Sequence, residues 1–255
     1  MQLGGRLEKI VAKHGKRFMA WDEVLEGGVS QSTAVMSWRD MKYGVEAAKN
    51  KHEVVMSPTQ YAYLDYMQAD EITEPKVYKG LRLSRTYEFD PVPDGVDPKY
   101  IKGGQGNLWT EQVYNIRQAE YQTWPRGFAI AESVWSPKEK KNWKNFFART
   151  EQHFERLDIA ETKYAPSVYD PIFAVKRTAD GKLLVTLSKE VEDLDIYYSF
   201  DNSIPDHFYT KYTEPLVVPI DANMLRVITY RDKKPIGRMM NMPIEELNKR
   251  APVKK

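Results

Sequence analysis

Several groupings in this sequence have the residue types of a reactive site, and most of them fail on spacing. Asp22-Glu23 and Asp70-Glu71 are adjacent acidic pairs of the kind general acid–base chemistry can use. The same pattern arises where a carboxylate opens a helix or closes an ion pair, and Asp70-Glu71, set in a long polar stretch, reads as a solvated charge pair. His14, His52, His153 and His207 are scattered without the i, i+4 or Cys-paired spacing of a metal site, so no metal or other cofactor is expected. The absence of cysteine excludes disulfides and thiolate sites. Gly103-Gly104-Gln105-Gly106 lacks the Lys-Ser/Thr of a phosphate loop and the full spacing of a dinucleotide fingerprint. Tyr63 and Asp65 alternate as on an extended segment, which would put both side chains on one side. By residue type alone Trp21, Trp38 and Trp109 read as core aromatics, as do Trp124, Trp135 and Trp143 in their helical stretches.

The elements that would carry these residues follow from periodicity. Leu7 to His14 has apolar residues at helical spacing and stops at Gly15. Arg17–Trp21, Ala34–Trp38 and Glu53–Ser57 are short apolar runs, with a helical stretch from Tyr43 to Lys51. Pro58 to Lys99 is too long for an ordinary connection and reads as a functional loop. Gly103 to Trp109 reads as a fourth strand, followed by helices over 114–134 and 137–157. Such alternation predicts parallel strands with crossover helices. After Tyr164-Ala165-Pro166 the pattern becomes strand-like alternation, as in Leu183–Leu187 and Asp195–Phe200, with a turn at Asp201-Asn202-Ser203. Tyr197, Tyr198, Phe208 and Tyr209 read as core of that region. The end of the chain, Asn248–Lys255, is basic and reads as frayed.

Composition narrows the function further. With 42% hydrophobic and 12% aromatic residues the chain can build packed cores. Thirty-eight basic against thirty-six acidic residues leave a net charge of +2, which argues against nucleic acid or anionic membrane as a partner. No apolar run reaches the roughly 18 residues a membrane span needs, and no targeting signal is legible.

Four blocks then give a specific resemblance: Ala20-Trp21-Asp22-Glu23-Val24-Leu25-Glu26-Gly27-Gly28, Val35-Met36-Ser37-Trp38-Arg39, Tyr61-Ala62-Tyr63-Leu64-Asp65 and Gln105-Gly106-Asn107-Leu108-Trp109-Thr110-Glu111. In that order they resemble strands five to eight of the β-N-acetylhexosaminidases of glycoside hydrolase family 20. The resemblance implies an α/β fold, the C-terminal half of a (β/α)8 TIM barrel over residues 1–163, followed by a small all-β, sandwich-like domain over 164–250 and a tail over 251–255. Barrel residues far apart in sequence converge at the strands' C-terminal ends. A pyranose has apolar C–H faces and a rim of hydroxyls, so its pocket needs flat aromatic walls and a few fixed polar groups. On the family pattern Trp21, Trp38 and Trp109 are those walls. Tyr63 donates to the substrate acetamido carbonyl, Asp65 accepts from the 6-hydroxyl and Glu111 from the 4-hydroxyl.

The resemblance also implies what these blocks do not carry. In family 20 the substrate's own acetamido oxygen attacks the anomeric carbon, while an Asp orients it and the next Glu protonates the leaving oxygen. That pair ends the fourth strand, and a sugar-binding arginine lies earlier still. Asp22-Glu23 sits in the block resembling the fifth strand, so a structural ion-pair or helix-start role is expected of it. The implied function is part of an enzyme removing terminal N-acetylhexosamine from glycans, inactive without an N-terminal half. The implied partners are that half or a second copy of the chain. A carbohydrate-binding protein without catalysis is the alternative. Family habit implies a periplasmic, extracellular or lysosome-like location.

Overall fold

Short apolar runs alternating with amphipathic stretches fold into alternating strands and helices through the first part of the chain. The computed structural model describes residues 3–251. Helix α1 (Leu3–Lys13) stops before Gly15, whose φ of 64° lies in the left-handed region where glycine is favoured. Then come β1 (Met19–Trp21), β2 (Ala34–Ser37), α2 (Met41–Lys49), β3 (Val54–Met56), α3 (Thr59–Ala62), α4 (Leu83–Tyr87), β4 (Ile101–Gly104), α5 (Ile116–Thr123), α6 (Arg126–Trp135) and α7 (Trp143–Ile159). The strands form one parallel sheet in the order β1-β2-β3-β4, with Ala20 opposite Val35 and Val35 opposite Val54. Val35, Val54, Met56, Leu64, Phe89 and Ile130 form the core against it. Burying a side chain of this size stabilises by about 1.5–3 kcal/mol.

Three sequence expectations shift here. The fourth strand is Ile101–Gly104 rather than 103–109, and beyond it only Asn107 bridges, to Tyr63. A Cβ at Gly104 would lie 2.5 Å from the Phe89 ring, so the glycine at that position serves close packing. The helix expected over 114–134 is two helices, because Pro125 has no N–H to continue α5. The helix expected from Pro137 begins instead at Trp143, where the Asn142 side chain accepts from Asn145 N.

The chain divides into two compact units. The described residues up to Tyr66 join Leu83–Tyr164, while Met67–Arg82 belong with those from Ala165 onward. The expected single cut at 163/164 therefore misses residues 67–82. In the second unit β5 (Ile172–Arg177), β6 (Leu183–Ser188), β7 (Asp195–Ser199), β8 (Leu216–Val217), β9 (Met224–Arg231), β10 (Lys234–Pro235) and β11 (Met240–Pro243) precede α8 (Ile244–Arg250). One antiparallel sheet runs β5-β6-β8; the other is β10-β9-β11, with β7 also paired to β9. Leu183, Val185, Ile196, Leu225, Val227 and Met240 from both sheets share one core. The Asp201 side chain accepts from Ser203 N at 3.0 Å, fixing the turn there.

Arginines tie residues 67–82 into this unit. Arg250 grips Asp70 with two nitrogens at 2.6 and 2.7 Å, Arg238 bridges Glu74 and Asp170, and Arg82 pairs with Glu190 at 2.8 Å. Asp70 is thus a fixed ion-pair partner, not a solvated charge. Arg250 and the buried Ala251 are likewise held, so the expected fraying does not include them, and residues 252–255 lie outside the described part. Tyr197 is buried, but Phe208 is 84% exposed and Tyr209 also faces solvent, against the core expectation for both. Trp135 is 90% exposed for a geometric reason: the buried stripe of α6 runs Arg126, Ala129, Ile130, Ser133, and position 135 falls off it. Among the described residues no helix is long and apolar enough to cross a membrane.

Candidate functional site

All four strands of a parallel sheet point the same way, so the segments leaving them gather at one edge. Trp21 ends β1, Trp38 directly follows β2, Tyr63 follows the short α3 beyond β3, and Trp109 lies five residues past β4. Their rings form a continuous series. Trp21 and Trp109 have centroids 5.8 Å apart, Trp109 and Tyr63 6.4 Å, and Tyr63 and Trp38 6.2 Å with planes only 24° apart. Tyr66 joins them at 5.6 Å from Tyr63. Trp109 keeps 39% of its surface exposed, while Tyr63 keeps 6%.

Asp65 lies in the turn just beyond Tyr63 rather than on an extended strand, because pairing ends with the single Tyr63–Asn107 bridge. It is 3% exposed and its Oδ1 has no hydrogen-bond partner. Burial raises its pKa above the ordinary aspartate value; the negative charge of Glu111 adds to the rise, and Arg126 opposes it. Glu111 itself is in an exposed turn. Tyr63 is pushed up to about 12, chiefly by burial, with side-chain hydrogen bonds to Trp109 and Asn107 acting the other way. Its hydroxyl therefore remains a proton donor throughout the neutral range. The set amounts to aromatic rings, one O–H donor and one buried carboxylate with an unpartnered oxygen.

Residue types alone did not mark several supports of this site. Asn107 donates to Ser57 Oγ and accepts from Gln105 Nε2, both at 2.6 Å, and its main chain bonds Ala62 and Leu64 on either side of Tyr63. Arg126, fully buried, donates to Leu64 O at 2.5 Å and to Gln122 O at 2.9 Å. Nothing in the sequence separates Arg126 from a surface arginine at a helix start. Asn107 at least stands in one of the family-like blocks.

Asp22 and Glu23 are engaged with the segment after β2. Asp22, with no exposed surface, accepts from Trp38 N at 2.8 Å, from Arg39 N at 3.2 Å and from Arg39 Nε. Arg39 also reaches Glu26 at 2.9 Å; burial works against its charge, but these carboxylates outweigh it and raise its pKa. Glu23 accepts from the Trp38 indole N–H, at 3.0 and 3.1 Å to its two oxygens. Both carboxylates serve as anchors.

The sequence model of the glycosyl hydrolase family 20 catalytic domain matches residues 3–138, which include every residue of this cluster. The chain belongs to glycosyl hydrolase family 20. A β-hexosaminidase of Porphyromonas gingivalis is 36% identical over 218 residues, covering 82% of this chain and 28% of that protein. A β-N-acetylhexosaminidase of Cellulomonas fimi is 31% identical over 160 residues, covering 60% and 32%. Among solved structures, a family-20 exo-β-N-acetylglucosaminidase of Vibrio harveyi in complex with N-acetylglucosamine superimposes with a TM-score of 0.58 at 34% identity, covering 64% of this chain and 27% of that one. The chain thus spans less than a third of the length of each of these glycosidases. In the second unit residues 185–244 match the sequence model described as Fn3 associated.

Proposed function

We propose that this family-20 chain builds the sugar pocket of a β-N-acetylhexosaminidase that removes terminal non-reducing N-acetylhexosamine residues by substrate-assisted, retaining hydrolysis. The observation that carries the reading is the ring series Trp21, Trp109, Tyr63, Trp38 with the open Oδ1 of buried Asp65 beside it. Tyr63, protonated to about pH 12, donates to the acetamido carbonyl and so holds the oxygen that attacks the anomeric carbon. Asp65 accepts from the 6-hydroxyl and Glu111 from the 4-hydroxyl, while the tryptophans cover the C–H faces and keep water away. Asp22-Glu23 is already committed to Trp38 and Arg39 and is not the proton-transfer pair.

On this reading the proton donor and the aspartate that orients the acetamido group come from residues outside these 255. The four-stranded parallel sheet is the second half of a (β/α)8 barrel, the two antiparallel sheets form a sandwich-like domain, and the partner is the other half of the barrel or a second copy of the chain. Assay of the 255-residue chain against an aryl N-acetyl-β-glucosaminide tests this directly. The expected result is no turnover by the chain alone and turnover once the complementary barrel half is added. Turnover by the chain alone would overturn the assignment of the acid. Sugar binding that never leads to turnover in any combination would leave a carbohydrate-binding protein.

A further inference from the structure

The same acidic pair, set aside as a proton donor, carries a different role. We infer that Glu23 is a positioning residue that fixes the plane of the Trp38 indole as a wall of the sugar pocket, with Asp22 anchoring the backbone beneath it; the inference rests on the pocket reading above.

Trp38 follows the last residue of β2; its carbonyl accepts from Thr59 N at 2.8 Å, but its side chain is only half-buried and lies beyond the strand. An indole in that setting has two free torsions, and ordering them when a sugar arrives opposes binding. The structure restrains Trp38 from three sides. Its main-chain N–H donates to Asp22 Oδ2 at 2.8 Å. The next residue, Arg39, gives Asp22 both its N–H and its guanidinium, and a second guanidinium nitrogen pairs with Glu26. Asp22, Glu23 and Glu26 all lie on the one 3-10 turn Asp22–Gly27, so a single rigid element supplies all three carboxylates.

Those contacts fix the backbone only. The ring is fixed by Glu23, whose two oxygens lie 3.0 and 3.1 Å from the indole nitrogen, almost equally shared. An indole N–H has no acceptor capacity and one donor direction, so gripping it selects one ring plane. That plane is 24° from the Tyr63 ring, which sets Trp38 in line with the remaining walls. Adjacent carboxylates thus divide the work, the buried one on the main chain and the exposed one on the side chain.

The test follows the Trp38 indole N–H by NMR, with its signal identified by its loss in Trp38→Phe, and titrates N-acetylglucosamine into the same samples. Glu23 is exposed, so replacing it leaves the core packing in place. In Glu23→Ala the indole signal is expected to move and its hydrogen to exchange about tenfold faster, with the dissociation constant for the sugar raised about five- to tenfold. Glu23→Gln, which keeps an acceptor oxygen, is expected to stay within about twofold of the parent chain. An unchanged indole signal in Glu23→Ala overturns the inference. So does a Glu23→Gln variant as impaired as Glu23→Ala, because the charge and not the grip on the indole would then matter. If no sugar binds even with the complementary barrel half present while the indole signal still depends on Glu23, the pocket reading fails and the positioning contact stands.

Discussion

The two units bury carboxylates in opposite ways. In the β-rich unit Asp170 has no exposed surface and both its oxygens are occupied: Oδ1 accepts from Arg238 N, and Oδ2 from two nitrogens of the Arg238 side chain at 2.8 and 2.6 Å. In the parallel-sheet unit Asp65 is almost as deeply buried, yet its Oδ1 is bonded to nothing. Burial raises both pKa values above the ordinary aspartate range, so both charges are held at a cost. Only the first is offset by a guanidinium clamp. A buried charge with an unpartnered oxygen destabilises a fold, whereas a clamped one holds chain segments together.

Replacing Arg238 should give the largest effect. Arg238→Met removes a shared partner of Asp170 and Glu74, and loss of one side of a buried pair costs about 3–5 kcal/mol. Urea unfolding at neutral pH measures it. Because Asp170 has a raised folded-state pKa, its protonated form is the favoured one in the fold. The loss in the variant should therefore shrink as pH falls through that raised pKa, already above the ordinary aspartate value of about 3.9. A variant as stable as the parent at pH 7 would remove the contrast between the two aspartates.

Asp65→Asn sharpens it from the other side. A raised folded-state pKa means that this residue's contribution to stability is present when it is protonated and lost as pH rises through that pKa. Removing the charge should then raise the thermal midpoint at pH 7, with the difference fading in acid where the parent is also neutral. The same change should weaken N-acetylglucosamine binding by about 1.5–3 kcal/mol, read by calorimetry. A drop in stability at pH 7 would show that Asp65 is a structural partner like Asp170.

Tyr63→Phe should act more weakly, at about 1 kcal/mol of sugar affinity for one neutral hydrogen bond. In the parent chain affinity should hold through pH 9 and fall as pH approaches about 12, where the phenol loses its proton; the phenylalanine variant should lack that limb. A limb near pH 10 in the parent would mean that Tyr63 is not buried as described.

The paired blocks around Trp21, Trp38, Tyr63 and Trp109 were legible in sequence because each lies within a few residues of a strand end, and local order survives into the fold. Elements whose periodicity is unbroken were readable as well, such as α2 and β6. The misreadings have local causes. Pro125 divides what looks like one helix, and Trp135 lies on the face of α6 opposite the stripe it buries. Residues 67–82 could not be assigned to the second unit, because their partners Arg238 and Arg250 lie more than 160 positions away.

Sequence by itself determined the alternation of strands and helices, the change to a β-rich region after Pro166, and the family, since each is written in neighbouring residues. Only the tertiary structure decided which carboxylates are anchors and which is open. Asp22, Asp65, Asp70 and Asp170 are chemically identical, and their roles differ through the donors that folding brings to them: Trp38 N and Arg39 for Asp22, Arg250 for Asp70, Arg238 for Asp170, and for Asp65 Oδ1 none.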